Sequence, residues 1–497
     1  MMERHFMKLS YLINKLSGYK CTNPISETNI TGIQYDSRNI KKNNLFVAMR
    51  GHQTDGHLYI SQAIANGACA IVAEENLIPE NSNVQFIQVS DSRKALAHLA
   101  QVYYENPSSK ICLIGITGTN GKTTTAYLIE NILKAKGYST GVISTIEYRY
   151  HNRFFPNPLT TPESLDLQRI LFEMHSNGIT HVIMEVSSHA LALDRVIGCA
   201  YDVVVFTNLT QDHLDFHQTI ASYWQCKQKL FNPPYISQKN NVHAIINRDN
   251  EFGQELMDHV KIPKILVGTS SNNDIYCQSP TISLSQISGK INTPKGFISL
   301  KSFLTGQHNL QNILCAVGVG ISLNIPVDDI SSGVLSTSSV PGRLERLSAF
   351  TDRYVFVDYA HTPDALKNVI QSVRDTKTRR LITVFGCGGD RDRGKRQLMG
   401  KVAANLSDLC IVTSDNPRSE SPEAIINDIC KGITDIKSCI IEPDRKKAIE
   451  AAIKESCPND IILIAGKGHE NYQILKDRTI AFDDRICALE AKEDSNN

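Results

Sequence analysis

Apolar and polar positions follow two rhythms along this chain. Short, nearly unbroken apolar runs occupy positions 44–49, 68–73, 111–116, 139–146, 181–186, 203–208, 354–358, 381–385, 409–413 and 461–465, and they read as buried strands. Between them the apolar positions recur with helical spacing, at 59–66, 92–104, 126–136, 308–322, 363–376, 395–406, 422–430 and 444–454. Strand alternating with helix predicts parallel sheets covered on both faces. The rhythm breaks at 268–306, where β-type runs (Thr281-Ile282-Ser283-Leu284 and Phe297-Ile298-Ser299-Leu300) are split by glycine, asparagine and proline, and the pattern predicts an antiparallel excursion. The polar tail, 491–497, is expected to fray.

Two small-polar stretches interrupt this pattern: Asn106-Pro107-Ser108-Ser109, and Leu335-Ser336-Thr337-Ser338-Ser339-Val340-Pro341-Gly342-Arg343. Read as linkers in a chain of 497 residues, they divide it into units 1–107, 108–338 and 339–497. The expected fold is α/β with three domains: a first α/β unit, a central P-loop-type parallel sheet and a Rossmann-like C-terminal domain. A formal net charge of +1 leaves no global basic field to recruit nucleic acid or membrane, so any anion site must be local. The start, Met1-Met2-Glu3-Arg4-His5-Phe6, lacks a signal peptide's basic flank and apolar run. No window holds the roughly eighteen apolar residues of a membrane span. Thirteen cysteines without Cys-x-x-Cys spacing argue for reduced thiols rather than structural zinc. A cytoplasmic protein is expected.

The richest stretch is Thr117-Gly118-Thr119-Asn120-Gly121-Lys122-Thr123-Thr124, between the strand at 111–116 and the helix at 126–136. Such a loop turns backbone N–H groups toward one point, and the helix N-terminus adds partial positive charge. Lys122 can reach a phosphate, and Thr123 can coordinate the accompanying Mg²⁺. Against the usual P-loop spacing, the leading glycine would fall at Ile116. Glu185 ends the strand at 181–186, where ligands of open α/β sheets bind. It reads as a Mg²⁺ ligand or as a solvated strand-end carboxylate. Asn208-Leu209-Thr210-Gln211-Asp212-His213-Leu214-Asp215-Phe216-His217 is dense enough in polar groups to suggest metal or phosphate work. Asn309 and Asn312 share one helix face and suit either a heterocycle edge or capping. Lys227, on the residues alone, reads as a surface lysine on a helix. In the third unit Asp358 to Pro363, Gly386 to Arg396, Asp415 to Arg418, and Gly466 to Glu470 follow successive strands, four charged loops that describe a pocket for a multiply charged ligand.

Thr117 to Thr124 resembles the hallmark of the Mur ligases, ATP-dependent amino-acid ligases of peptidoglycan synthesis, and the resemblance extends over the whole chain. Asp36-Ser37-Arg38 and Gly51-His52-Gln53-Thr54-Asp55-Gly56 resemble the uridine-nucleotide site of the member that adds the third residue. Asp415-Asn416-Pro417-Arg418 resembles that of its diaminopimelate-adding branch, since an arginine can hold the second amino-acid head bidentately. The resemblance implies that Gly118, Thr119, Asn120, Gly121, Lys122, Thr123 and Thr124 bind ATP phosphates. It places Asn309 and Asn312 near adenine, with Arg343, Asp358 and His361 closing from the third domain. Ser37, His52, Gln53 and Thr54 would bind the uridine nucleotide, and Thr160, Thr161, Ser187 and Arg195 the muramoyl dipeptide. Arg391, Asp415, Asn416, Pro417, Arg418, Gly466 and Glu470 would bind meso-diaminopimelate. Thr123, Glu185, His213 and, once carbamylated, Lys227 would serve Mg²⁺, and Lys122, Glu185, His213 and Lys227 would carry the catalysis. The family carries a carbamylated lysine, and Lys227 matches its position, which reverses the surface reading. Leu159 and Leu193 depart from the family, where some members have Asn and Gln.

The implied activity is ligation of meso-2,6-diaminopimelate to a UDP-N-acetylmuramoyl dipeptide through an acyl phosphate, by a monomer. The rivals are a lysine-adding or other Mur-type ligase, a folylpolyglutamate synthetase, and a P-loop switch protein that binds nucleotide without ligation.

Overall fold

Each of the three main sheets in the computed structural model, which describes residues 6–21, 24–51, 54–75, 84–374, 379–434 and 439–495, comes from one stretch of the chain. The first has five strands in the order Lys20–Cys21, Gln85–Gln88, Ala68–Ala73, Asn44–Val47, Gly32–Gln34. All but Lys20–Cys21 run parallel to their neighbours. The helix Ser92–Tyr103 covers one face through Leu96, Leu99 and Ala100, and the Asp91 carboxylate caps it by accepting from the Arg93 and Lys94 amides.

The central sheet has eight strands: Arg153–Pro156, Glu147–Tyr150, Thr140–Ile143, His181–Glu185, Cys112–Thr117, Val203–Phe206, His243–Asn247 and Lys264–Val267. Cys112–Thr117 lies in the middle, parallel to both neighbours. The next strands along the chain, Thr140–Ile143 and His181–Glu185, fall to one side and Val203–Phe206 to the other, so the carboxyl end of Cys112–Thr117 is a switch point, where such sheets bind ligands. Helices Lys122–Ala135, Gln307–Ser322 and Val327–Ser336 bury Ile129, Leu133, Leu314 and Ile330 against one face. Ser164–Ser176 and Ile220–Gln228 bury Leu171, Met174, Tyr223 and Trp224 against the other.

Several elements differ from the sequence reading. The hairpin Glu147–Tyr150/Arg153–Pro156 extends the central sheet antiparallel. Its turn residues His151 and Asn152 both take positive φ (47° and 57°), so a tight hairpin forms here without the Asn-Gly pair that usually announces one. Strands His243–Asn247 and Lys264–Val267 go beyond the expected set. The excursion is a separate antiparallel sheet of Tyr276–Ile282, Ile287–Thr293 and Gly296–Ser302; Thr281 to Leu284 straddles a strand end and its turn. The tail does not fray over its described part: the helix Asp484–Ser495 continues through it, because Ala488 and Ala491 pack against Ile449 and Ala452.

The third sheet runs Glu345–Arg346, Tyr354–Asp358, Ile461–Ala465, Leu381–Phe385, Leu409–Val412, Cys439–Ile441, parallel except at its first strand. Its strand ends place Asp358, Gly386, Asp415 and Gly466 along one edge. Among the described residues, no helix is long and apolar enough to cross a membrane.

Candidate active site

The glycine loop closes on itself. Gly118 and Gly121 take φ values of +151° and +86°, and a Cβ at Gly121 would stand 2.2 Å from Asn312 Oδ1. Thr207 Oγ1 donates to the Asn120 carbonyl (2.7 Å), and the Asn120 amide donates to Asn208 Oδ1 (3.0 Å), so the end of the neighbouring strand holds the loop's shape. Lys122 Nζ donates to the Gly118 and Thr119 carbonyls, both at 2.8 Å. Burial pushes this ammonium below the ordinary lysine range, Glu185 and Asp212 pull it back, and Arg343 adds to the depression.

In front of the loop lies a cleft of about 560 Å³. Its central-domain wall includes Thr119 to Thr124, Thr145, Thr160, Glu185, Ser187, Asp212, His213 and Asn312. Its other wall comes from the third domain, with Arg343, Asp358, Tyr359, His361 and the helix Pro363–Arg374. Arg343 spans the two: one guanidinium nitrogen lies 3.3 Å from Thr123 Oγ1, and the group stacks over the Tyr359 ring at 4.6 Å. Asp358 accepts from the Leu344 and Ala360 amides (2.6 and 2.7 Å), yet burial pushes its carboxyl up to about 6. His361 Nδ1 meets the Tyr359 carbonyl at 2.8 Å, and burial lowers its pKa. A second bridge between the domains joins His308 Nδ1 to Ser372 Oγ at 3.0 Å.

Lys227 is not a surface residue. It is 1% exposed, and the exposed-lysine reading fails because helix Ile220–Gln228 turns Tyr223, Trp224, Cys226 and Lys227 all inward. Its Nζ donates to the same Gly118 carbonyl as Lys122, at 2.8 Å, and lies over the Tyr223 ring. Burial first, then the Lys122 ammonium, push its pKa well below the lysine range. The cleft does not include it; its amine ends behind the loop.

The groups expected around a divalent ion converge in part. Glu185 is fully buried, with Oε1 and Oε2 accepting from the Thr145 amide and hydroxyl (3.1 and 2.9 Å). Thr123, Glu185 and His213 all face the cleft. His213, in the left-handed region (φ 53°), lies 3.5 Å from Asp212, and burial lowers its pKa. No group of three or more His, Cys, Asp or Glu side chains that could hold a metal ion occurs among the described residues. A hard ion that keeps waters and phosphate oxygens in its shell fits such a sparse set of oxygen donors.

The remaining predicted residues separate into three places. Thr160 and Ser187 line the cleft; Thr161, buried behind them, donates to the Glu185 carbonyl (2.8 Å) and accepts from the Ser187 amide (3.0 Å). Arg195 lies beside Thr161, its Nε 3.3 Å from the Glu163 carboxylate. Asn309 lies outside the cleft, anchored to the Thr305 carbonyl (2.8 Å), and accepts from Asn312 (3.1 Å), which does face it. In the third domain, Asn416 donates to Glu470 (2.9 Å), and Lys467 donates to both Asn416 and Glu470 (3.1 and 2.8 Å). Arg418, at φ 53°, donates to the Gly389 carbonyl (2.9 Å), and Gly466 sits so close to Asp415 that a Cβ would reach its carboxylate at 2.7 Å. Pro417 is buried in the same turn, while Arg391 is exposed and its guanidinium lies 3.4 Å from the Asp390 carbonyl. In the first domain, Ser37 donates to Gln62 (2.8 Å), and Thr54 meets the Tyr59 hydroxyl (3.1 Å). His52 and Gln53 lie outside the described residues.

Three family profiles cover most of the chain: "Mur ligase family, catalytic domain" at 29–104, "Mur ligase middle domain" at 116–320 and "Mur ligase, glutamate ligase domain" at 342–468. This chain belongs to the Mur ligase family. Among its relatives, a protein of Solibacter usitatus named UDP-N-acetylmuramoyl-L-alanyl-D-glutamate–2,6-diaminopimelate ligase is 45% identical, over 96% of this chain and 97% of its own length. One of the same name from Clostridium tetani is 42% identical, over 98% and 100%. A solved structure of an enzyme of that name superposes with TM-score 0.72 at 29% identity, covering 99% of this chain and 100% of its own. A folylpolyglutamate synthase of Mycobacterium tuberculosis shares the Mur ligase fold over 75% of this chain, at TM-score 0.60 and 17% identity.

Several residues of this Mur ligase site carried no assignment in the sequence. Tyr223 packs its ring on Lys227 and its hydroxyl on Thr119 (3.1 Å). Lys467 binds the Asn416–Glu470 pair, and His308 bridges the domains. Asp212 and Lys467 stand inside charged motifs and were findable there; Tyr223 and His308 act through contacts that no local pattern encodes.

Proposed function

We propose that this chain joins meso-2,6-diaminopimelate to the D-glutamyl end of UDP-N-acetylmuramoyl-L-alanyl-D-glutamate in peptidoglycan precursor synthesis, with ATP as co-substrate and Mg²⁺ as its metal, as a cytoplasmic monomer. The observation that carries this reading is the cleft itself. It faces a phosphate cradle in one domain with Arg343, Asp358 and His361 of another, whose next strand ends carry Asn416, Arg418 and Glu470. Relatives sharing 42–45% of their residues along nearly the whole chain bear the corresponding name, which supports the same choice of substrates. In this reading residues 1–107 bind the uridine nucleotide through Ser37, His52, Gln53 and Thr54. Residues 108–338 bind ATP, with Thr160, Thr161, Ser187 and Arg195 on the dipeptide, and 339–497 bind the amino acid.

The D-glutamyl carboxylate attacks the γ-phosphorus of ATP, giving an acyl phosphate and ADP; the diaminopimelate amine then attacks the acyl carbon and expels phosphate. Lys122 exchanges its loop carbonyls for phosphate oxygens and, with the helix N-terminus, offsets the charge that develops there. Arg343 lies beside Thr123 and brings the third domain's charge to the same point. Bound at Thr123, Glu185 and His213, Mg²⁺ would supply further charge neutralisation at the transferring phosphoryl group. Lys227 supports a carbamate on physical grounds: only an uncharged amine forms one, and this amine is held far below its usual pKa with no carboxylate on it. As a carbamate it would be an anion beside Lys122. Arg418 orients the far head of diaminopimelate, and Asn416 and Glu470 receive its ammonium.

Phosphate release measured with the muramoyl dipeptide, varying the amino acid, tests the reading. Release that requires both the dipeptide and diaminopimelate is expected. Equal release with lysine would assign the lysine-adding reaction instead, and release without dipeptide would make the chain a nucleotide hydrolase.

A further inference from the structure

The last two strands of the third sheet, Leu409–Val412 and Cys439–Ile441, set Cys410 directly opposite Cys439. Neighbouring strands run about 4.8 Å apart, inside the span of about 4.4–6.8 Å between Cα atoms that a disulfide bridges. The two side chains leave the same face of the sheet, so the Cys410 and Cys439 thiols are neighbours in one apolar cluster. Cys430, at the end of helix Pro422–Cys430, packs on the same apolar cluster, and burial, then the Cys439 thiol, raise its pKa. Cys410 is buried in the core, whereas Cys439 is only partly buried, on the sheet's edge strand. The Cys439 thiol donates to the Ile440 carbonyl, at 3.7 Å. All of these thiols are free.

We infer that Cys439 and Cys410 form a thiol–disulfide pair, in which Cys439 reacts with an oxidised low-molecular-weight disulfide and Cys410 resolves the adduct into a bond between the two strands. The roles follow from access and charge. The neighbouring Cys410 thiol lowers the pKa of Cys439, while the Cys439 thiol and burial raise that of Cys410. A thiolate at an accessible edge attacks, and a thiol in contact with it resolves. The Cys439 thiolate displaces one half of the small disulfide as a thiolate. Cys410 sulfur then attacks Cys439 Sγ, the second half departs, and the Cys410 proton goes to that leaving thiolate. The protein loses two thiol hydrogens and the small disulfide becomes two thiols. Because the positions are already paired, closure needs side-chain rotation and no shift of register. Leu409–Val412 leads directly into Asp415 to Arg418, so the bond would pin the strand that presents those residues.

The full-length protein is incubated with oxidised glutathione, its remaining thiols are alkylated, and its peptides are analysed by mass with the disulfides intact. The expected product links the peptides of Cys410 and Cys439. Cys457, which is exposed, serves as the internal control and retains a glutathione adduct. In Cys410→Ser the adduct persists on Cys439; in Cys439→Ser the linked product is absent and Cys410 is alkylated only on unfolding. Both variants keep a small side chain of similar size, and a melting curve confirms their folding. Full alkylation of Cys410 and Cys439 while Cys457 carries its adduct would overturn the proposal. A Cys430–Cys439 link in place of the expected one would overturn the role given to Cys410.

Discussion

Lys122 and Lys227 both donate to the Gly118 carbonyl, and two ammonium groups at one neutral oxygen, with no carboxylate on either, disfavour each other. Burial, then the Lys122 ammonium, push the more deeply buried Lys227 amine well below the usual lysine range. Replacing Lys227 with alanine is expected to lower kcat by at least about a hundredfold, the loss typical of removing one electrostatic partner of a transition state. Acetate or formate would partly restore the rate by supplying the missing anion; full activity without addition would exclude a role for the side chain. At the other end of the site, Arg418 is fixed by its left-handed backbone and by the Gly389 carbonyl. Arg418→Ala should raise KM for diaminopimelate about ten- to a hundredfold, the worth of hydrogen bonds to a charged group, and leave KM for ATP unchanged. Steady-state kinetics with each substrate varied in turn separates the two.

At the scale of elements, the junction of strand Cys112–Thr117 with helix Lys122–Ala135 depends on a glycine for two reasons, its positive φ and the contact with Asn312. Gly121→Ala should therefore cost roughly 1–3 kcal/mol of stability and raise KM for ATP, read from a melting curve and initial rates; a variant matching the parent in both would show that the loop can shift. This junction was fully legible in the sequence, as were the strand ends carrying Glu185, Asp358 and Asp415, because long apolar runs and glycine loops are local signals. The hairpin at 147–156 was not, since its turn uses His151 and Asn152. Lys227 was misread from its residues alone, because Gln225, Gln228 and Lys229 around it look like a solvated helix, and only packing shows the inward turn. The familiar motif sequence, not periodicity, pointed to its role. Asn309 matched the motif but supports Asn312 rather than facing the cleft, a distinction that helical spacing cannot make.

At the scale of the whole molecule, the polar contacts between the central and third domains across the cleft among the described residues include Arg343 on Thr123 and His308 on Ser372, and Leu284 of the antiparallel excursion joins the third domain's apolar core. The polar pairs lie in the cleft itself, and the ligands would add charge on both sides. Closure about the segment around Arg343 is expected when ATP analogue and diaminopimelate are both bound. Solution scattering should then show a smaller radius of gyration than for the free protein, and identical profiles with and without ligands would argue for a fixed arrangement.

In the proposed reading, the Lys227 amine behind the glycine loop also ties the enzyme to its gas phase. A carbamate there would form from dissolved carbon dioxide and revert to it, so the bicarbonate that supplies the gas would take part in enzyme maturation rather than act as a buffer component alone. Protein dialysed into degassed, bicarbonate-free medium at mildly acidic pH should lose activity slowly, on the timescale of decarboxylation, and regain it on adding bicarbonate, while Lys227→Ala shows neither change. Growth in poorly carbonated medium would then limit cell-wall precursor supply at this step, before any shortage of ATP or of the amino acid.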